Sequence, residues 1–254
     1  MRCVARAVVG AGLVLTCTGP AWAQVPTPGP PPTVPGALLE RPCQPPRSSR
    51  EDWAGLCRYQ EANRQIAPPV RVVMTGDSIT EFWLRTSPGF FAEGIVDRGI
   101  SGQTCPQVLA RFYQDVVLLR PKVVHILCGT NDIAGNTGAT SIEEVANAVR
   151  AMADLARANG IAVVLGSVPP AGAFGWRPEM RPAGQIAVLN AWLRDFAKAR
   201  GLGFADYHAA MADAAGAMKP GLSNDGVHPN AAGYAVMEPI ARAAIDRADP
   251  PETL

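Results

Sequence analysis

Three groups of residues could do chemistry here if folding collects them. The first is Gly76-Asp77-Ser78, a serine at the end of the run Val70-Arg71-Val72-Val73-Met74-Thr75. The second is the pair of polar stretches around Gly102 and Gly129-Thr130-Asn131-Asp132, and the third is Asp225-Gly226-Val227-His228-Pro229. A serine hydroxyl becomes a nucleophile when a base takes its proton, and a carboxylate-held histidine is the common base. The chain has 3 histidines, so the candidates can be taken in turn. His125 lies inside an apolar run and reads as a core histidine. His208 follows a strand end in Asp206-Tyr207-His208 and could sit near the site, though a structural role is the stronger reading. His228 sits in a polar turn with Asp225 three residues earlier, where the carboxylate can fold back on the ring, fix its tautomer and stabilise the imidazolium. Acyl transfer also needs donors aimed at a developing oxyanion. Gly102 permits close backbone approach, and Asn131 offers a neutral side-chain amide. Plainer roles stay open at each position: Ser78 as a helix cap, Gly102 as a turn glycine, Asn131 as a cap.

These residues need elements that bring them to one place. Residues 70–75 read as a buried strand broken by Gly-Asp-Ser. Residues 81–87 read as a short helix or turn, 94–98 as a strand, and 98–104 as a glycine-rich loop entering a helix over 106–119. A strand over 122–127 breaks at Gly129-Thr130-Asn131-Asp132. Ile142, Val145, Val149, Met152 and Leu155 then mark one face of a helix. A strand over 161–165, a long loop over 167–184 holding Phe174 and Trp176, a helix over 185–200, a strand near 202–205 and a helix over 230–246 complete the series. Strands alternating with helices predict a parallel sheet covered on both faces, with right-handed crossovers. The expected fold class is therefore α/β, a three-layer α/β/α sandwich on a five-stranded parallel sheet. In such a sheet the loops that follow the strands share one edge, where ligands bind.

Gly76-Asp77-Ser78, Gly102, Gly129-Thr130-Asn131-Asp132 and Asp225-Gly226-Val227-His228-Pro229 occur in the order of the SGNH, or GDSL-type, serine hydrolases, and the chain is identified as a member by that resemblance. It runs from about residue 70 to 246. It implies a flavodoxin-like fold, Ser78 as nucleophile with Asp225 and His228 as the other triad members, and an oxyanion hole of the Ser78 backbone N–H, Gly102 and Asn131. It implies no metal and no organic cofactor. Ile79 stands where the family name has leucine, and no GxSxG elbow surrounds Ser78, which argues against the α/β-hydrolase fold.

Composition sets the outer bounds. The 254 residues are 48% apolar with a net charge of +1, enough for one α/β domain and an appendage. Residues 1–23 carry Arg2 and Arg6, an apolar run and Ala21-Trp22-Ala23, which predicts a cleavable signal peptide and a secreted or periplasmic protein. A lipoprotein through Cys17 is the weaker reading, since Thr16 rarely precedes a lipidated cysteine. Losing the two arginines takes 23 basic residues to 21 against 22 acidic ones, a net of −1. That surface offers no handle for nucleic acid, and no apolar run is long enough to cross a bilayer. Residues 24–46 hold nine prolines and read as an extended tether. Residues 47–69 read as a helical extension, with Trp53, Leu56 and Tyr59 at helical spacing, ahead of a hydrolase domain over 70–254. The four remaining cysteines are too scattered for zinc, and export permits disulfides. Cys43–Cys57 would pin the tail to the extension. Cys105–Cys128 would join the loops of Gly102 and Asn131, and two buried thiols are the equal alternative.

The expected activity is hydrolysis of short-chain, acetyl-type esters through an acyl-enzyme, on a small-molecule or carbohydrate ester. Two alternatives remain open from sequence: an acyltransferase to a sugar hydroxyl, which shares the acyl-enzyme, and a non-catalytic carbohydrate-binding module on the same fold. Phe174 and Trp176 read equally as pocket lining or as surface-loop anchors.

Overall fold

The computed structural model describes residues 43, 52–67, 70–92 and 94–249. The expected signal peptide over 1–23, and the expected tether over 24–46 apart from Cys43, lie outside the described residues. The elements follow as α1 (Gln60–Gln65), β1 (Val72–Gly76), α2 (Ser78–Thr86), β2 (Ile95–Gly99), α3 (Cys105–Asp115), β3 (Val123–Leu127), α4 (Thr130–Ile133), α5 (Ile142–Ala158), β4 (Ala162–Gly166), α6 (Ala183–Arg200), β5 (Gly203–Ala205), α7 (Tyr207–Met211) and α8 (Ala231–Ala248).

All five strands are parallel, in the order β2-β1-β3-β4-β5. The period of two along each strand explains the layers. Val73, Val124, Ile126, Val163 and Leu165 point to one core with α3, α5 and α6, while Val72, Met74, Val123, Leu127 and Val164 point to the other with α2, α7 and α8. Burial on both faces is why these strands read as unbroken apolar runs. The chain leaves β1 for β2 on one side and then crosses to β3 on the other, so the order reverses next to β1. A crevice opens at such a reversal, beyond the carboxyl ends of the strands.

Several local expectations are corrected. Helix α2 begins at Ser78 itself, and its cap is Asp77, whose Oδ1 accepts from the Ile79 N–H at 2.9 Å. The expected helix over 106–119 ends at Asp115 and gives way to a single 3-10 turn, Val117–Leu119. Gly129-Thr130-Asn131-Asp132 does not stay a loop but winds into the one-turn α4, and Asp206 caps the short α7. The spacing of Trp53, Leu56 and Tyr59 is not a helical stripe. The helix of the extension is confined to Gln60–Gln65, residues 53–59 are turns, and Trp53 and Leu56 are half exposed.

Both cysteine pairs are disulfides, Cys43–Cys57 and Cys105–Cys128. Among the described residues no helix is long and apolar enough to cross a membrane.

Candidate active site

Ser78, Gly102 and Asn131 follow β1, β2 and β3, the three adjacent strands at the order reversal. Their proximity is thus a consequence of strand order. The serine corner is tight because Gly99 of β2 lies against the first turn of α2. A Cβ on Gly99 would stand 2.3 Å from the Glu81 nitrogen. Asp77 holds the corner through its cap, and burial pushes its carboxyl up to about 7, against the Ile79 N–H and the His228 ring, which lower it.

Asp225 and His228 arrive from the turn before α8. Ser223 Oγ accepts the N–H groups of Asp225 and Gly226 and donates to Asp225 Oδ1 at 3.0 Å. The same Oδ1 accepts the Val227 and His228 N–H groups at 2.9 and 2.8 Å. Asp225 Oδ2 is left to meet His228 Nδ1 at 2.6 Å. Partial burial raises the Asp225 carboxyl, but the hydrogen bonds from His228 and Val227 outweigh it and hold it at about 2. An ionised Asp225 accepts, so the His228 Nδ1 carries the proton and Nε2 presents its lone pair. That Nε2 lies 2.9 Å from Ser78 Oγ. Helix α8 is fixed to the serine helix by Tyr234, whose hydroxyl donates to the Ile79 carbonyl at 2.8 Å. Phe82 and Trp176 flank the imidazole, with ring centroids at 5.2 and 6.3 Å.

Among the described residues the backbone N–H groups of Ser78 and Gly102 have no hydrogen-bond partner. Ser78 owes this to its place as the first residue of α2, where no intrahelical acceptor exists. Gly102 is exposed in a loop and has φ +80°, a conformation that favours glycine. Asn131 is buried, and its amide nitrogen donates to the Gln103 carbonyl at 3.0 Å and to Asp77 Oδ2 at 3.3 Å. Its Oδ1 accepts from Asn136 Nδ2 at 2.8 Å.

His125 is fully buried, 2.8 Å from the Tyr207 hydroxyl, and burial drives its pKa down to about 3. His208 is part-buried on α7, where burial lowers its pKa. Phe174 is buried and stacks beneath the half-exposed Trp176, whose Nε1 donates to Asn136 Oδ1 at 3.1 Å.

Arg111 escapes sequence reading altogether. It looks like any polar residue of a helix, yet it is fully buried below the three loops. It donates to the carbonyls of Gly76 (2.9 Å) and Arg98 (2.8 Å), to Gln103 Oε1 (2.6 Å) and to Asp115 (3.1 Å). One guanidinium therefore ties the ends of β1 and β2 to the loop that follows Gly102. Among the described residues no cluster of His, Cys, Asp or Glu is placed to hold a metal.

A serine hydroxyl paired with a carboxylate-held imidazole, beside free backbone N–H groups on a 2-1-3-4-5 parallel sheet, defines the class: an α/β protein with the arrangement of a serine acylhydrolase. The GDSL-like lipase/acylhydrolase family model matches residues 74–236, and the chain belongs to that family. A Bacteroides thetaiotaomicron GDSL-like lipase is 44% identical, over 77% of this chain and 99% of its own, with a TM-score of 0.75. A Bacteroides fragilis protein is 43% identical over 77% of this chain and 98% of its own, also at 0.75. A catalytic mutant of an acetylxylan esterase from Geobacillus stearothermophilus shares the fold, at 20% identity over 71% of this chain and 96% of its own, with a TM-score of 0.55. No curated protein matches the chain.

Proposed function

We propose that the protein is an exported serine esterase that hydrolyses short-chain, acetyl-type esters through a covalent acyl-enzyme. The observation that carries the reading is the unbroken relay from Ser78 Oγ to His228 Nε2 at 2.9 Å and from His228 Nδ1 to Asp225 Oδ2 at 2.6 Å. Ser78 Oγ attacks the acyl carbon as its proton passes to His228 Nε2, and the carbonyl oxygen becomes an oxyanion. The Ser78 and Gly102 N–H groups receive that charge. Asn131 joins them by exchanging its longer bond, the 3.3 Å contact to Asp77, for the oxyanion. When the adduct collapses, the alcohol leaves with the proton from Nε2. A water then gives its proton to Nε2 as it attacks the acyl carbon, and the second adduct collapses to the acid as Nε2 returns that proton to the departing Ser78 Oγ. Asp225 stays ionised throughout and stabilises the imidazolium. Two disulfides and the expected signal peptide over 1–23 support export.

Phe82 and Trp176 beside the imidazole, with ring centroids at 5.2 and 6.3 Å, support a site walled by flat rings, which suits a short acyl group. The test is a series of 4-nitrophenyl esters from acetate to decanoate, with Ser78→Ala as control and labelling by an organophosphonate. Acetate and butyrate should turn over fastest, with label on Ser78. A rate climbing steadily with chain length overturns the size preference, and an unlabelled Ser78 overturns the nucleophile.

A further inference from the structure

Residues 52–65 are fastened to α3, to the loop that enters it and to α2 by bonds that reach far along the chain. Gln103 Nε2 donates to the Ala54 carbonyl at 2.7 Å, Gln107 Nε2 to the Trp53 carbonyl at 2.6 Å and Gln114 Nε2 to the Leu56 carbonyl at 2.6 Å. Arg58 reaches Glu81 of α2 at 3.0 Å, and that carboxylate in turn accepts the Ser101 N–H at 2.8 Å. Asp52 closes its own turn by accepting the Leu56 and Cys57 N–H groups at 2.7 and 2.9 Å, and Cys57 is bridged to Cys43. The backbone that carries Trp53 is therefore rigid, yet its indole is 50% exposed. Packing does not account for a large aromatic held so firmly and covered so little.

Trp53 faces a groove of about 850 Å³ whose other wall is Ser101, Gly102, Asn136 and Thr137. Gly102, whose N–H is one of the two free donors of the candidate site, is thus part of the groove wall. Asn136 connects it to His228, because Asn136 Oδ1 accepts from Trp176, which lies against the imidazole. Apart from Trp53 and Ile100 the lining side chains are polar. An aliphatic chain gains little from amides and hydroxyls. A pyranose suits the mixture, since its C–H face covers an indole while its hydroxyls meet amide and hydroxyl partners.

We propose that this groove is a saccharide subsite in which Trp53 stacks on a sugar ring of the alcohol half of the ester, so that the extension over 52–65 selects acetylated oligosaccharides. The proposal rests on the esterase reading above and names its substrate class. Binding energy gathered on a ring remote from the acyl carbon can then be used to position the ester for Ser78.

The experiment compares the full chain with Trp53→Ala and Trp53→Phe on 4-nitrophenyl acetate and on O-acetylated β-1,4-linked glucose oligomers of one to four rings. Binding of the unacetylated tetramer to Ser78→Ala, with and without Trp53→Ala, is measured alongside by calorimetry. In the wild type kcat/KM should rise with ring number. Trp53→Ala should lower kcat/KM on the tetramer about tenfold more than on 4-nitrophenyl acetate, mostly through KM, and should weaken tetramer binding by a similar factor. Trp53→Phe should recover most of both. Equal losses on the two substrates would assign Trp53 to structure alone, and tetramer binding indifferent to Trp53 would remove the subsite. Turnover of 4-nitrophenyl acetate without any gain from added rings sinks the subsite and spares the esterase. Lack of turnover on every ester sinks the esterase reading, while the calorimetry still decides the groove.

Discussion

Replacing both Cys105 and Cys128 by alanine separates what the bridge does for stability from what it does for the site. The two residues are 23 apart in sequence, and tying such a loop restricts the unfolded chain by about 3.4 kcal/mol in the chain-entropy model. For a domain of this size that corresponds to a fall in Tm on the order of 10 °C. Substitution is a cleaner perturbation than a reductant, since both cysteines are buried and a reagent reaches them only after the domain opens. The effect on catalysis is limited by a second tie. The Cys105 N–H donates to both oxygens of Asp132, at 3.1 and 3.0 Å, so the loops of Gly102 and Asn131 remain joined without the bridge. Removing one oxyanion donor outright costs roughly a hundredfold or more in kcat. Loosening two donors that keep one shared anchor should cost about tenfold. Thermal melts give the first quantity, and steady-state kinetics on 4-nitrophenyl acetate at 20 °C give the second. A Tm within about 2 °C of wild type refutes the entropic account. A wild-type kcat in a measurably less stable variant refutes the claim that the bridge holds the donors.

Three other outcomes are expected. Asp225→Asn should lower kcat on the order of 10⁴-fold, because an amide N–H facing Nδ1 favours the tautomer whose Nε2 cannot accept the serine proton, while Ser78→Ala and His228→Ala should each cost more; an Asp225→Asn enzyme within tenfold of wild type removes the carboxylate from the relay. Arg111→Met leaves Asp115 buried without its partner and frees the Gly76 and Arg98 carbonyls, so urea melts should show a loss of about 3–5 kcal/mol, and a loss below about 1 kcal/mol refutes the clamp. His125 is held neutral down to about pH 3, whereas in the unfolded chain it takes a proton near its usual value of 6.5. Its contribution is complete above pH 6.5 and is lost as pH falls toward 3, at about 1.4 kcal/mol per unit. His125→Gln should make the stability curve shallower by that slope between pH 6 and 4, and superimposable slopes rule the linkage out.

The strands and the order of the reactive residues were legible from sequence because both are short-range properties. A strand buried on both faces must be apolar at every position, so Val72–Gly76 and Val123–Leu127 announce themselves. Once the sheet is known to be parallel, Ser78, Gly102 and Asn131 must share an edge. The turn that offers Asp225 to His228 spans four residues, and its carboxylate is bound within that span. Even the two disulfide pairings could be named as candidates, since Cys43 and Cys57 are 14 residues apart in one segment and Cys105 and Cys128 follow the two strands that flank β1.

Tertiary structure decided whatever depended on a partner distant in the chain. Ser78 does not cap α2: it is the first residue of the helix with Asp77 as the cap, and its hydroxyl is engaged by a histidine 150 residues away. Nothing near Arg111 in sequence marks it as a buried clamp; its acceptors Gly76 and Arg98 are supplied by two different strands. Asn131 was legible as an amide donor, but the Gln103 and Asp77 acceptors that take its N–H groups come together only when three loops meet. The spacing of Trp53, Leu56 and Tyr59 imitated a helix, and glutamines on α3 and its entry loop captured the carbonyls of Trp53, Ala54 and Leu56 instead. A periodic pattern records which residues prefer to be covered. Which surface covers them, and whether one is left bare beside a reactive site as Trp53 is, follows from the packing of segments that the sequence keeps apart.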